Sequence, residues 1–322
     1  MQAVKMKKTM LLPYFRQLIL PALLLLLPST VLAEGQNVGN DSDATTDALQ
    51  REFEAASLGM KVSAQPGPLD IPLANQAVLH LPKGLAYVPN PAAARFMNAM
   101  GNRVSDDFLG LVMPQGKDVA WVTTLSFEKS GYIKDDDAKS WDIHDLLASI
   151  KEGAEETNKV RVSRGIPALD IVGWAEPPNY DAANHRLVWA LTVGDRGAPP
   201  DEPQSVNYNT YALGREGFFS LNLVTASNEL EQRKPIAESL LASLDFDQGK
   251  RYEDFNAATD QAAAFGLAAL VGGALVAKKF GLFALASLFI AKFGKIIAIA
   301  GAALFGIFGR RLGGKKGGGM DA

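Results

Sequence analysis

The sequence predicts an α+β domain, mostly antiparallel sheet packed with helices, followed by a C-terminal transmembrane helical region. Three observations lead there. Trp121, Thr123, Leu125 and Phe127 alternate with Val122, Thr124 and Ser126, and Leu187, Trp189, Leu191 and Val193 alternate with Val188, Ala190 and Thr192, the period of half-buried strands. Ile143, Leu146, Leu147, Ile150 and Ala154 recur at helical spacing, as do Ile236, Leu240, Leu241 and Leu244. The two most apolar stretches, residues 18–27 and 262–308, sit at opposite ends of the 322-residue chain with a charged region between them.

Lys5, Lys7, Lys8 and Arg16 precede the first apolar run, and residues 28–33 close with the small residues Val31 and Ala33 at alternate positions. This is the layout of a secretory signal, residues 1–33, cleaved after Ala33. An uncleaved anchor is the competing reading, against which the short core broken by Pro21 argues. Residues 34–65 are polar and acidic and read as a mobile arm or linker with one short helix over 45–57.

Residues 66–256 form the exported domain. Within it, residues 77–81 and 110–113 are Pro-bounded or Gly-bounded apolar runs that read as strands. Pro91 after Asn90 opens a short helix that Gly101 closes, Ser140 caps the helix begun at Ile143, and Pro235 opens the last one. Residues 206–213 and the alternating Phe219, Leu221 and Leu223 form a hairpin across the Gly214 to Gly217 turn, so the sheet is antiparallel.

Residues 257–311 form the membrane region, one or two helices, before a basic glycine-rich tail at 312–322. Three apolar blocks, residues 261–277, 280–291 and 296–308, are separated by Lys278 with Lys279 and by Lys292 with Lys295. A span needs roughly 20 apolar residues. The first block nearly suffices, whereas the other two must be joined across lysines that each cost about 2.5–3.5 kcal/mol at mid-bilayer. Placing Lys278 and Lys279 inside satisfies the positive-inside rule, while a second crossing would export Arg310, Arg311, Lys315 and Lys316; an interfacial or re-entrant helix stays open. Ala269, Gly273 and Ala277 recur every four positions, a stripe on which a second copy could pack, although Gly and Ala are common in such helices anyway.

Composition narrows the chemistry. There is no Cys, which removes disulfides, thiolate metal sites and thiol nucleophiles. Residues 34–255 carry 20 Lys and Arg against 33 Asp and Glu, an acidic balance that disfavours nucleic acid. His80, His144 and His185 are the only histidines and none pairs at metal-ligand spacing; no Gly-x-Ser-x-Gly elbow occurs. Asp135, Asp136 and Asp137 are weak metal candidates, because adjacent carboxylates lack the spacing of a calcium loop and suit a solvated turn equally. No cofactor is expected.

Residues 131–138 (GYIKDDDA), 173–181 (GWAEPPNYD) and 207–217 (NYNTYALGREG) resemble a bacterial family of predicted membrane-anchored proteins with a domain of unknown function, domain 2167. The resemblance runs from about Leu69 into the apolar tail. It implies an envelope protein with a C-terminal membrane region and brings no activity, cofactor or catalytic residue. The order of elements also resembles the α/β/α sandwich of the photosystem subunit P and Mog-like superfamily, which implies binding more than catalysis.

Tyr180 and Asp181, within a rigid loop with Trp174, Pro177 and Pro178, and Tyr208, Asn209 and Arg215 beside the hairpin, are the candidate recognition surface; Trp174 and Tyr208 suit the core as well. The expectation is a noncatalytic binding domain on the periplasmic face of the bacterial inner membrane, with the bilayer and an envelope protein as partners. Two alternatives stand beside it: an envelope enzyme using Asp136, Asp181 or Glu176 as acid and base on a glycan, lipid or peptide, and a stress sensor that oligomerises through its membrane helices.

Overall fold

The computed structural model describes residues 42–280, apart from 101, 103, 117–120, 164–166, 200, 201 and 203. The strands are β1 (Gln65–Pro66), β2 (Leu69–Leu73), β3 (Ala77–Leu81), β4 (Leu85–Pro89), β5 (Phe108–Pro114), β6 (Val122–Glu128), β7 (Leu169–Asp181), β8 (Arg186–Asp195), β9 (Ser205–Leu213), β10 (Phe218–Ala226) and β11 (Leu244–Phe246). The helices are α1 (Ser42–Ser63), α2 (Ala92–Ala99), α3 (Ile143–Ser163), α4 (Leu230–Ala242) and α5 (Leu267–Phe280).

Eight strands pair in the order β1-β4-β5-β6-β10-β9-β8-β7, antiparallel at every junction, and β11-β3-β2 form a smaller antiparallel sheet. The α+β, mostly antiparallel expectation holds. Period-two alternation sends neighbouring side chains to opposite faces. One face of β10 presents Phe219, Leu221 and Leu223 to α4 and the small sheet, joining Leu79, Leu240 and Leu244. On the other face, Leu187, Trp189 and Tyr211 pack under α3 and the start of α5, while Leu111, Val122 and Val224 pack under α1 and α2. Between those two apolar clusters the sheet carries buried Thr124, Asn209, Ser220 and Asn222.

Several expectations are corrected here. Within the polar arm the helix expected over 45–57 is longer, the 22 residues Ser42–Ser63, and it is packed rather than mobile: it buries Ala56 and Met60 and sets Phe53 against Phe96 at 5.9 Å, so its narrow apolar stripe packs on α2. Asp142, not Ser140, caps α3, its Oδ1 accepting the N–H groups of His144 and Asp145 at 2.7 and 3.2 Å. Pro235 lies inside α4, which begins at Leu230, and Leu244 belongs to β11. The loop expected over 173–181 is part of β7, the edge strand, where prolines are tolerated because one side of the strand needs no ladder donors. Its register against β8 slips near Gly173, Glu176 and Asn179.

The C-terminal boundary also moves. Leu267, Ala268, Leu270 and Val271 are buried in the core with α3, so the folded unit does not stop at residue 256; it extends to Ala277. Residues 261–266, the start of the first apolar block, are not helical, and α5 is broken at Gly273, whose φ of 72° and ψ of −165° interrupt the line from Ala269 to Ala277. Among the described residues, no helix is long and apolar enough to cross a membrane. The signal segment, the apolar blocks beyond 280 and the basic tail lie outside the described residues.

Candidate functional site

At one end of the large sheet the turns between β7 and β8 and between β9 and β10 meet the segments that follow β6 and β11. Backbone hydrogen bonds stitch them together: Gly131 N–H to Glu216 O and Leu213 N–H to His185 O, both 2.9 Å, and Ala263 N–H to Tyr132 O at 2.7 Å. Gly131, at φ +89°, is required there, since a Cβ would stand 2.6 Å from Gln261 O.

This corner holds a chain of polar side chains. Tyr180 Oη donates to Asp135 Oδ2 at 2.8 Å and lies 3.1 Å from His185 Nδ1. With the phenol proton directed to Asp135, the second contact is a hydrogen bond only when Nδ1 carries a proton, which leaves Nε2 of the neutral ring as a lone-pair nitrogen. His185 stacks on Tyr252 at 4.0 Å, Tyr252 lies 4.4 Å from Tyr132, and Tyr132 stacks on Phe255 at 3.9 Å. Tyr252 Oη donates to Ile133 O at 2.7 Å. Burial, then the hydrogen bond to Asp135, holds the Tyr180 phenol well above its ordinary pKa; burial, then Tyr132, does the same for Tyr252. Both phenols are therefore donors across the physiological range.

The acidic run divides its work. Asp135 accepts from Tyr180, Asp136 is exposed, and Asp137 turns to α5, where its two oxygens accept the N–H groups of Leu267 and Ala268 at 3.0 Å each. A Cβ at Gly266 would meet Asp137 Oδ2 at 2.5 Å, so Gly266 leaves room for the cap. The run is thus a junction rather than a shared ligand set, and among the described residues no group of three or more His, Asp and Glu could hold a metal ion.

The predicted surface residues separate. Tyr180 lies half-buried in the corner and Asp181, exposed, closes the β7–β8 turn by accepting from Ala183 N–H and Asn184 Nδ2 at 3.0 and 2.6 Å. Arg215 forms two hydrogen bonds with Asp260, at 2.7 and 2.8 Å, and a third with Gly249 O. That guanidinium holds the Asp260 carboxyl well below the usual range. Tyr208 and Asn209 are buried on opposite faces of β9 and belong to no surface. Trp174 packs half-buried beside α3, its Nε1 donating to Ile143 O at 3.2 Å. Of the carboxylates nominated for acid–base work, Glu176 pairs with Lys234 at 2.5 Å, Asp181 serves its own turn and Asp136 faces solvent.

A family model described as a protein of unknown function, DUF2167, matches residues 65–302. The chain belongs to the DUF2167 family. No curated protein matches it. Among solved structures it is similar to the solution structure of cyanobacterial PsbP (CyanoP) from Synechocystis sp. PCC 6803, at 11% identity over 54% of this chain and 88% of that one, with a TM-score of 0.33. The DUF2167 match takes in β1 through α5 and leaves α1 outside. All three stretches that carried the resemblance send residues to the one corner: Tyr132 and Asp135, Tyr180 and Asp181, and Arg215.

Sequence reasoning missed His185, Tyr252 and Asp260. His185 stood alone as a histidine, and its place in the turn after Asp181, at φ 51°, is a property of the folded backbone that no local sequence pattern announces. Also missed was Glu128 at the end of β6, whose carboxyl is raised by burial and then by nearby Asp107.

Proposed function

We propose that this DUF2167 protein is a noncatalytic binding protein of the bacterial envelope, its folded domain outside the inner membrane and its apolar C-terminal segment in the bilayer. The observation that carries the binding reading is the convergence of the three family stretches on the Asp135, Tyr180 and His185 corner, where aromatic rings and a paired tyrosine sit beneath the exposed turn at Asp181, Ala183 and Asn184. Rigid aromatic side chains offer contact area at little entropic cost. Asp135 Oδ2 and both oxygens of Asp137 accept internal hydrogen bonds, which suits a preformed surface. The location rests on the signal-like N-terminus and the apolar blocks beyond residue 280.

Because the chain has no Cys, one introduced at Asn184 is a unique handle. Asn184→Cys in spheroplasts should react with a membrane-impermeant maleimide before lysis, and a thiol crosslinker there should give a defined heteromeric adduct that His185→Ala with Tyr180→Phe removes. Labelling only after lysis refutes the location. An adduct that persists unchanged in the double variant refutes the corner as the recognition surface.

A further inference from the structure

Helix α1 is apolar on two sides. Phe53, Ala56 and Met60 turn inward to α2 and the sheet, yet the two most exposed large apolar side chains among the described residues, Val62 at 79% and Leu58 at 63%, lie one turn apart on the opposite side. That side stands open: Arg51, Ala55 and Lys61 are exposed, and a Cβ at Gly59 would meet no heavy atom within 4 Å. Single exposed apolar residues are ordinary, but these two belong to a longer line.

Ala44, Ala48, Arg51, Ala55, Leu58 and Val62 follow one another at intervals of four, three, four, three and four residues along α1. This is the seam spacing of a coiled coil, in which positions 3.5 residues apart on average face a second helix. Asp47, Glu54 and Lys61, seven residues apart, occupy the position that flanks the seam, where charges select the partner and its direction.

Register decides what the seam fits. When two copies of α1 run antiparallel with Ala48 opposite Leu58, each layer joins a small residue to a larger one: Ala44 to Val62, Ala48 to Leu58, and Ala55 to Arg51. The flanking positions then bring Asp47 of each copy to Lys61 of the other, and the two Glu54 positions meet near the axis beside the two Arg51 positions. A parallel pair would set Arg51 on Arg51 within the seam and Asp47 against Glu52, like charges in both places.

We propose that α1 is a homodimerisation element, on whose Leu58 and Val62 side a second copy of this chain docks antiparallel, with Ala48 opposite Leu58. The family match starts at residue 65, so this surface is an addition of this chain to the DUF2167 domain, and it is independent of the Tyr180 corner. A 22-residue helix is about 33 Å long, which gives a small interface and hence a weak, concentration-dependent dimer.

The chain has no Cys, so single-Cys variants read the register directly. Full-length Ala48→Cys and Leu58→Cys chains carrying different tags, mixed in detergent and mildly oxidised, should form the heterotypic disulfide in clear excess over either homotypic one. Gln232→Cys, exposed on α4, gives the level of random collision. Leu58→Asp, at an exposed site, should melt with the parent yet raise the dimer dissociation constant about tenfold or more in sedimentation, the equivalent of one Leu no longer buried. Lys61→Glu should weaken the dimer and Asp47→Lys, added to it, should restore it. The inference is overturned if the full chain sediments as a monomer throughout a concentration series, or if homotypic disulfides match or exceed the heterotypic one. A dimer that Leu58→Asp leaves intact, or a Lys61→Glu defect that Asp47→Lys does not repair, overturns it equally and places self-association elsewhere in the chain.

Discussion

Replacing Asp137 by Ala removes both acceptors at the start of α5, the oxygens 3.0 Å from Leu267 N–H and Ala268 N–H. Loss of an N-terminal cap costs about 0.5–2 kcal/mol. Loss of a negative charge beside the helix N-terminus adds about 0.3–1 kcal/mol. Because Leu267 is fully buried against α3, the frayed turn cannot recover water freely, which places the sum near 2 kcal/mol. For a domain of this size, about 2–4 °C of melting temperature accompany each kcal/mol, so Asp137→Ala should melt about 4–8 °C below the parent in a circular-dichroism heat scan. Asp136→Ala, at an exposed neighbour, should leave the melt unchanged, and calcium should shift neither variant. Equal losses for Asp136→Ala and Asp137→Ala, or a calcium-dependent gain in the parent that both variants lack, would refute the cap and restore a shared cation.

Met60→Ala should destabilise by about 2 kcal/mol or more, the low end for truncating a buried Met, and lower the urea midpoint at constant slope; an unchanged midpoint would return α1 to a mobile arm. Glu128→Gln tests the burial of the carboxylate at the end of β6. The folded carboxyl is raised above 4.5, so ionising it opposes folding: the penalty is absent below the unfolded value, grows as pH rises and is complete above the folded one. The variant should therefore melt above the parent at pH 7 and level with it at pH 4, and a gain of the same size at both pH values would show that burial of charge is not the cause.

Legibility in the sequence followed the range of the forces involved. The β9–β10 hairpin was readable because period-two alternation and the Gly214 to Gly217 turn are local, and Phe218 does pair with Leu213. β7 was not, because Gly173, Pro177 and Pro178 break the alternation, and only the strand's place at the sheet edge makes them harmless. α1 looked like a tether because just one narrow stripe, Phe53, Ala56 and Met60, meets the core. Tyr180 and Asp181 were nominated as surface residues from their residue types, but their surroundings were invisible: Asp135 lies 45 residues from Tyr180, and Asp137 lies 130 from the amide it caps. The buried polar residues in the middle of the large sheet were within reach, since Ser220 and Asn222 alternate with Phe219, Leu221 and Leu223. That alternation also describes a sheet with one solvated face, and only the helices over it distinguish the two cases.

The acidic run joins two structures: Asp135 fixes the β7–β8 hairpin through Tyr180, and Asp137 fixes the first turn of α5. Between them the chain is a single 3₁₀ turn, closed by Ala138 N–H to Asp135 O at 3.1 Å and Ser140 N–H to Asp137 O at 3.0 Å. So short a turn has little freedom to absorb a displacement at one end without passing it to the other. The expected consequence is non-additivity: Tyr180→Phe and Asp137→Ala should couple by at least about 0.5 kcal/mol in a double-mutant cycle, beyond what independent sites show. Coupling below about 0.3 kcal/mol would mean that the corner and the helix cap act separately. A positive result would give a physical route by which occupancy of the turn at Asn184 reaches the helix that leads toward the apolar C-terminal residues, with Asp135 and Asp137 as its two ends.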